Sequence, residues 1–186
     1  ARVAARGLEV SATVPAGNPD WDMAAFAQPL GYLFLMNYDE HWLGGVAGPI
    51  ASQAWFEQQL NHTLARVPGN KVIVALGAYG YDWHDGKAEA MTVEEAWTSA
   101  HDSGALPTFD HATGNTGFAF DEDGARHSVW FLDAAANWNQ LRSVGRRAAG
   151  VALWRLGSED PGFWEVQRQW FASLKGKQVI TPDIAH

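Results

Sequence analysis

The feature that most constrains this chain is an apolar run, Tyr32 to Met36, that changes abruptly into polar and aromatic residues. The run contains two aromatic residues and no charge, which predicts a strand buried on both faces of a helix-covered parallel sheet. The segment from Asn37 to Trp42 follows at once and brings amide, hydroxyl, carboxylate, imidazole and indole groups. Because α/β folds build their sites at the carboxyl ends of parallel strands, this segment is expected to form a binding rim.

Two later segments, 71–83 and 150–160, repeat this plan. Each begins with an apolar stretch that predicts a buried strand, and each ends in aromatic and carboxylate side chains. The three strand ends are expected to meet in one cleft. Aromatic rings stack on the apolar faces of pyranose rings, and carboxylates bind hydroxyls or move protons, so the sequence favours a sugar ligand. The residues at these later strand ends are Tyr79, Tyr81, Asp82, Trp83, Trp154, Arg155, Glu159 and Asp160.

Composition excludes several classes of function. The 186 residues carry a formal net charge of -8 and no run of Lys or Arg, which argues against nucleic acid and anionic lipid as partners. The absence of cysteine excludes disulfides and thiolate metal sites. The histidines show no His-x-x-x-His spacing, and a hairpin turn explains the acidic residues 121–123, so neither a metal ion nor a cofactor is predicted. No apolar segment reaches transmembrane length.

The predicted element order is strand, helix, strand, helix, strand, insertion, helix, strand, helix. An α+β insertion is predicted over 88–133, between barrel units at 1–87 and 134–186. Because the sequence starts without Met and close to a strand, it is expected to be a piece of a longer chain. Strands are predicted from Leu8 to Val14, from Tyr32 to Met36, and after Lys71 and Gly150. One helix is predicted to end near Arg6. Five more are predicted, from Trp21 to Gln28, Gln53 to Arg66, Val93 to Ser103, Ala134 to Ala149 and Phe163 to Leu174.

Three motifs resemble glycoside hydrolase family 18, the chitinase family. The segment 36–42 resembles that family's sixth strand, 76–83 its seventh and 150–160 its eighth. The segment from His127 to Asp133 is similar to the insertion of bacterial members linked to spore cortex lysis. The resemblance covers essentially the whole chain. It implies the C-terminal half of a TIM (β/α)8 barrel, with a small α+β insertion between the last two strands.

The resemblance also implies a chemistry, from which the chain departs at one point. Family 18 enzymes hydrolyse N-acetylglucosamine polymers, chitin or peptidoglycan; the acetamide oxygen of the sugar attacks the anomeric carbon, and the protein supplies an acid and orienting groups. The family's acidic signature, Asp-x-x-Asp-x-Asp-x-Glu, occurs nowhere in this sequence. No catalytic residue is therefore predicted, and the isolated chain is expected to be inactive. The resemblance implies substrate binding by Met36, Tyr38, Asp39, Trp42, Tyr79, Tyr81, Trp83 and Trp154.

Each of these assignments has a structural alternative. Tyr38 and Asp39 would then end a strand in local hydrogen bonds, and Trp154 would be core, as strand-borne tryptophans usually are. Arg155 is expected on the opposite side of its strand from Trp154, which favours a structural ion pair. Glu159 and Asp160 are expected to cap the last helix.

Two functional hypotheses remain open, beside a purely structural half-barrel with no ligand. The first is a glycosidase half-barrel, and the second is a non-catalytic carbohydrate-binding module of a polysaccharide-synthesis or cell-wall protein. Either would be extracytoplasmic in a bacterium. A half-barrel leaves two sheet edges open, which predicts a homodimer or a missing N-terminal half that covers them.

Overall fold

The structure is a computed structural model, and it describes residues 6–18 and 20–175. In chain order, its helices and strands are β1 (Ser11–Pro15), α1 (Met23–Ala27), β2 (Tyr32–Met36), α2 (Gln53–Leu64), β3 (Val72–Gly77), β4 (Gly80–His84), β5 (Lys87–Met91), α3 (Val93–Ser103), β6 (Thr108–Asp110), β7 (Asn115–Glu122), β8 (Ala125–Phe131), α4 (Ala134–Val144), β9 (Gly150–Trp154) and α5 (Phe163–Leu174).

Four strands form a parallel sheet in the order β1-β2-β3-β9. Helix α1 connects β1 to β2, α2 connects β2 to β3, and α4 leads into β9. This is the predicted alternation, and an α/β fold is confirmed. Leu33 and Leu35 of β2 are fully buried with Phe56 and Leu60 of α2 in one core cluster, so the helices cover one face of the sheet.

The other face of this sheet is open among the described residues. Tyr32, Phe34 and Met36 alternate with the buried leucines of β2 and therefore lie on the opposite face. Tyr32 is exposed, and Phe34 and Met36 are only partly buried. The prediction that β2 is buried on both faces is therefore wrong for the described part of the chain, because no element there covers the second face.

The segment 71–83 was predicted to be a buried strand with Tyr79, Tyr81, Asp82 and Trp83 at its end. Strand β3 ends at Gly77, and the chain starts β4 at Gly80 in a different sheet. A Cβ atom on Gly77 would lie 2.8 Å from the Leu132 side chain and 3.2 Å from the Tyr38 Cβ, so a larger residue here would require Leu132 to shift. Tyr81 therefore belongs to the second sheet, not to the end of a parallel strand.

The second sheet has five antiparallel strands in the order β5-β4-β8-β7-β6. Helix α3 covers one face, where Val93 and Ala96 join the buried phenylalanines of β7 and β8. The turn between β7 and β8 is the predicted Asp123-Gly124 pair, and both residues have positive φ. This sheet begins at Gly80, before residue 88, where the insertion was predicted to start. The division of the chain into segments 1–87, 88–133 and 134–186 stays a prediction.

The ends of several elements differ from prediction. Strand β1 occupies Ser11–Pro15 instead of starting at Leu8, because it extends only where it pairs with β2. Helix α4 ends at Val144, five residues early, because Gly145 adopts φ 50° and leaves the helical conformation. The helix predicted to end near Arg6 lies almost entirely outside the described residues. So do residues 176–186, which follow the predicted last helix. Within the described ranges, none of the helices is long and apolar enough to cross a membrane.

Candidate functional site

Asp39 is the centre of the candidate site, three residues after Met36, the last residue of β2. Its backbone has φ 67°, a left-handed conformation that aspartate tolerates better than most residues. The hydroxyls of Tyr79 and Tyr81 both donate to Asp39 Oδ1, at 2.5 Å and 3.0 Å. In the described part of the chain Asp39 Oδ2 accepts no hydrogen bond, so one carboxylate oxygen is fixed and the other is left for a ligand.

A row of aromatic rings supports this carboxylate. The ring centroids of Tyr38 and Tyr79 are 5.9 Å apart, those of Tyr79 and Tyr81 5.3 Å, and those of Tyr81 and Trp83 5.4 Å. All three pairs meet edge to face, a favourable arrangement for aromatic rings. The rings pack with Leu132 in a cluster between the two sheets, which fixes the tyrosine hydroxyls relative to Asp39.

Burial and the Asp39 charge keep the tyrosine hydroxyls protonated. Burial first, and then the neighbouring carboxylate, raise the pKa of Tyr38 to about 12. The same two causes, in the same order, hold the pKa values of Tyr79 and Tyr81 well above the ordinary range. The phenols are therefore hydrogen-bond donors at neutral pH and not nucleophiles or bases.

Two cavities meet at Asp39, which lines both. One has a volume of about 480 Å³ and the other about 190 Å³. The first is lined by predicted site residues at the end of β2 and in the loop after it, and the second by those between β3 and β4, in β4 and at the end of β9. Trp83 lines neither cavity; it is buried behind Tyr81. The predicted site residues that line the cavities are Met36, Tyr38, Asp39 and Trp42 in the first and Asp39, Tyr79, Tyr81 and Trp154 in the second.

Trp154 ends β9 and leaves 55% of its surface exposed at the smaller cavity. The peptide bond between Trp154 and Arg155 is cis. Arg155 lines the same cavity, and its Nε donates to Ser158 Oγ at 3.1 Å. The prediction that Arg155 points away from Trp154 is wrong, because the strand ends at Trp154 and side chains no longer alternate beyond it. Among the described residues Arg155 forms no ion pair.

A second carboxylate at this cavity is already engaged. Thr92 and Glu95 line it, and together they form the capping box of α3. The Thr92 backbone N–H donates to Glu95 Oε2 at 2.7 Å. This bond, with the Thr92 side chain, holds the pKa of Glu95 below its usual range. Glu95 is therefore ionised at neutral pH and poorly suited to donate a proton to a leaving group.

Three other side chains of the rim segment stabilise the loop after β2. Asn37 is fully buried, and its Nδ2 donates to the Phe56 carbonyl at 3.0 Å. Glu40 Oε2 accepts from the Ser52 N–H at 2.6 Å, and His41 Nδ1 lies 2.9 Å from the Pro49 carbonyl. Some polar residues after β2 therefore line a cavity, and others hold the loop in place. The amino-acid type of a residue does not by itself show which of the two it does.

Comparison with known proteins places the chain in a family. Residues 2–159 match the sequence profile of glycosyl hydrolases family 18, which covers well over half of the chain. The chain belongs to family 18. The crystal structure of a chitinase from Chromobacterium violaceum superposes with a TM-score of 0.84 at 31% sequence identity, over 91% of this chain and 57% of that one.

Two relatives of this family 18 chain are proteins of Bacillus subtilis. An uncharacterized glycosylase is 29% identical over 82% of the chain and 47% of its own length. A cortical fragment-lytic enzyme is 26% identical over 83% of the chain and 38% of its own length. The chain therefore spans about half, or less, of the length of these relatives.

Sequence reasoning missed several residues that line the smaller cavity of this family 18 chain. Four of them fall in the predicted insertion, Arg155 was expected in a structural ion pair, and Ser158 was given no role. The backbone hydrogen bond from the Val93 N–H to the Ser158 carbonyl, at 2.9 Å, brings the start of α3 to the loop after β9 and so to the site. The missed residues are Ala90, Met91, Thr92, Glu95, Arg155 and Ser158.

Proposed function

We propose that this chain forms the acetamide-binding side of a family 18 glycosidase cleft that acts on N-acetylglucosamine polymers. The observation that carries this proposal is the Asp39 carboxylate, with Oδ1 fixed by two tyrosine hydroxyls and Oδ2 left for a ligand. An acetamide presents one N–H donor and one carbonyl acceptor. The free carboxylate oxygen suits the N–H. The protonated phenol of Tyr38 suits the carbonyl, because Tyr79 and Tyr81 already donate their single hydroxyl protons to Asp39.

Exposed indole rings on either side of Asp39 suit the sugar ring. Trp42 lines the larger cavity with 53% of its surface exposed, and Trp154 lines the smaller one with 55% exposed. Large aromatic surfaces exposed beside a carboxylate are costly in water, and they match the apolar face of a pyranose. Relatives that include a chitinase and a cortical fragment-lytic enzyme support chitin or peptidoglycan as the polymer.

The proposed architecture is the C-terminal half of a TIM barrel. Four adjacent parallel strands with helical connections, and with one face of the sheet open among the described residues, support it. The family's acidic signature is absent from this sequence. The acid of a substrate-assisted, retaining reaction would therefore come from residues outside this chain, and an extracytoplasmic location follows from the proposed polymers.

A binding titration tests the proposed cleft. Tryptophan fluorescence of the pure chain is expected to shift saturably with N-acetylglucosamine oligomers, without release of shorter sugars. Trp154→Ala should weaken binding by about 1–3 kcal/mol, roughly five- to 150-fold, since one stacked ring is lost. The matched control is Trp164→Ala, which removes a similarly exposed indole from α5, 45% exposed, and should leave the affinity unchanged.

Three outcomes of that titration contradict the proposal. Equal affinity of Trp154→Ala and the unmodified chain would place the sugar elsewhere. Absence of any shift at millimolar sugar would show that these cavities alone do not form the site. Robust hydrolysis by the pure chain would show that the acid lies within this sequence.

The absence of the acidic signature also favours a second candidate, a non-catalytic carbohydrate-binding module. Both candidates predict the same binding, so the coding sequence upstream of Ala1 separates them. Four further strands with an aspartate-rich motif ending in Glu support the glycosidase. A start codon directly before Ala1 supports the binding module.

A further inference from the structure

Asp82, His84 and His127 form a compact cluster, and none of the three lines either cavity at Asp39. They lie on β4 and β8, adjacent strands in the middle of the five-stranded sheet. Asp82 and His84 are two residues apart on one strand and therefore share a face of the sheet. The register places His127 directly beside them, since its neighbour Ser128 pairs with Trp83.

The side chains bring three donor atoms together. His127 Nδ1 lies 2.7 Å from Asp82 Oδ2, and the rings of His84 and His127 stack with centroids 4.4 Å apart. One potential ligand atom from each of the three residues lies within 4.8 Å of the other two. Ligands of a tetrahedral zinc ion lie roughly 3.3 Å apart, as bond lengths near 2.0 Å require. Metal binding would require the His84 ring to turn out of its stack with His127, and His127 Nδ1 and Asp82 Oδ2, now 2.7 Å apart, to separate slightly.

The polar groups of this cluster are incompletely satisfied. Asp82 Oδ1 is buried and accepts no hydrogen bond in the described part of the chain. The side chains of Asp82, His84 and His127 are 14%, 21% and 11% exposed. An unpaired buried carboxylate oxygen costs free energy, which a cation at this position would recover.

We propose that Asp82, His84 and His127 bind a divalent transition-metal ion, of which Zn²⁺ fits best. Two imidazoles and one carboxylate are ligands that Zn²⁺ accepts, whereas Mg²⁺ and Ca²⁺ prefer oxygen alone. Glu89 Oε1 is 3.8 Å from His84 Nε2 and 73% of its side chain is exposed, so it or a water molecule supplies the fourth ligand.

Such an ion would link β4 to β8 from the face opposite Tyr81. Tyr81 and Trp83 alternate with Asp82 and His84 and pack in the cluster between the sheets. The metal would therefore brace the strand that carries one donor to Asp39. The inference does not rest on the proposed sugar-binding function, since it concerns the other face of the sheet.

The test is a titration of the chelator-treated full chain with Zn²⁺ against a chromophoric competitor, followed by Co²⁺ absorption. The unmodified chain should take up one ion per chain and give the visible bands of tetrahedral Co²⁺. His84→Ala should weaken Zn²⁺ binding on the order of 100-fold. Loss of a residue that only hydrogen-bonds to a metal ligand typically lowers affinity by roughly 10- to 100-fold, and loss of a ligand itself should have at least the larger effect. This variant leaves the His127–Asp82 hydrogen bond in place, so the fold should persist.

The control is His101→Ala, at a surface His–Asp pair in which His101 Nδ1 lies 3.0 Å from Asp102 Oδ1. That pair has no second imidazole, and its loss should leave the affinity unchanged. Should His84→Ala fail to fold, Asp82→Asn removes the carboxylate charge with the same shape and should weaken binding likewise. No stoichiometric uptake by the unmodified chain, or Zn²⁺ binding by both cluster variants with the affinity of the unmodified chain, would overturn the proposal and leave a His–Asp hydrogen bond only.

Discussion

At the scale of single residues, Asp39 illustrates how a carboxylate is prepared for binding. It is held by two phenols and, within residues 6–18 and 20–175, is not paired with a cation, so its charge is oriented but not neutralised there. Hydrogen bonds to an ionised acceptor are among the stronger ones in proteins. The hydrogen bonds from Tyr79 and Tyr81 to Asp39 therefore stabilise the fold, and they exist only while the two hydroxyls are protonated.

Tyr79→Phe tests this dependence, because it deletes one hydroxyl and keeps the ring. At pH 8 the variant should lose about 1–2 kcal/mol in the free energy of unfolding, the worth of one charge-assisted hydrogen bond. The raised pKa of Tyr79 means that its stabilisation is complete below the unfolded-state pKa near 10 and declines as pH rises toward the folded-state value. The difference between the two proteins should therefore narrow between about pH 10 and 11.

Urea unfolding of both proteins at each pH measures the difference directly. Tyr81→Phe, which removes the other hydroxyl on Asp39 Oδ1, should behave with the same sign. A difference that stays constant over this range would show that the Tyr79 proton is not linked to folding.

At the scale of elements, carboxylates at helix N-termini connect the two sheets. Asp133 caps α4, accepting from the Ala136 N–H at 2.9 Å, and also accepts from the buried Thr116 hydroxyl at 2.5 Å. Asp160 accepts from the N–H groups of Ala134 and Gly162, the latter at the start of α5. The N-cap of α5 is Gly162, and no described side chain caps that helix, so the prediction that Glu159 and Asp160 cap it is wrong. Asp160 instead links the starts of α4 and α5.

Burial of the Asp133 cap has a cost that depends on pH. Desolvation is the main cause that raises the pKa of Asp133, and nearby Asp160 adds to it. A raised carboxyl pKa favours the fold fully below the unfolded-state value near 3.9, and this advantage is lost as pH rises through the folded-state value. Asp133→Asn keeps a good cap without the charge, so its stability relative to the unmodified chain should increase from pH 4 to pH 7.

Thermal unfolding at both pH values measures this change. Asp22→Asn is the matched control, since Asp22 caps α1 in an exposed position, with its Oδ1 accepting from the Ala25 N–H at 3.1 Å. The buried carboxylate remains in that variant. A relative loss of stability of Asp133→Asn toward pH 7 would contradict the proposed desolvation.

At the scale of the whole molecule, two sheets with different surroundings are joined by a polar and aromatic seam. Asn115 of β7 exchanges two hydrogen bonds with the backbone of Ala51, at 3.1 Å and 2.8 Å. The antiparallel sheet is thereby fixed beside the start of α2. The parallel sheet, in contrast, has β1 and β9 at its edges and one face uncovered among the described residues.

Open parallel edges predict association. Unpaired strand edges with exposed apolar residues bind other strands, and Leu8, Val10 and Trp154 beside these edges are 59%, 37% and 55% exposed. We expect the isolated chain to form a homodimer, unless a missing half-barrel covers the edges in a longer protein. Light scattering after size exclusion measures the mass. A monodisperse monomer of 20.3 kDa would contradict this expectation.

Most of the local structure was predictable, because it depends on contacts between sequence neighbours. Strand β2 and helix α3 have their predicted bounds, and Ser52 and Thr92 cap α2 and α3. Each of these features is fixed by apolar periodicity or by a capping hydroxyl within four residues. Errors occurred where a boundary depends on distant atoms, as at Gly77, whose neighbour Leu132 lies far along the chain.

The sequence by itself determined the α/β alternation, the family and the residue types of the cleft. Only the tertiary structure decided that Tyr79 and Tyr81 share one oxygen of Asp39, that Trp83 is buried, and that Arg155 faces the cavity. It also brought Asp82 and His84 to His127, which helix-type spacing of histidines could not reveal. The physical reason is that periodicity records which side of an element is apolar, whereas the partners of a polar group depend on strand pairing across the chain.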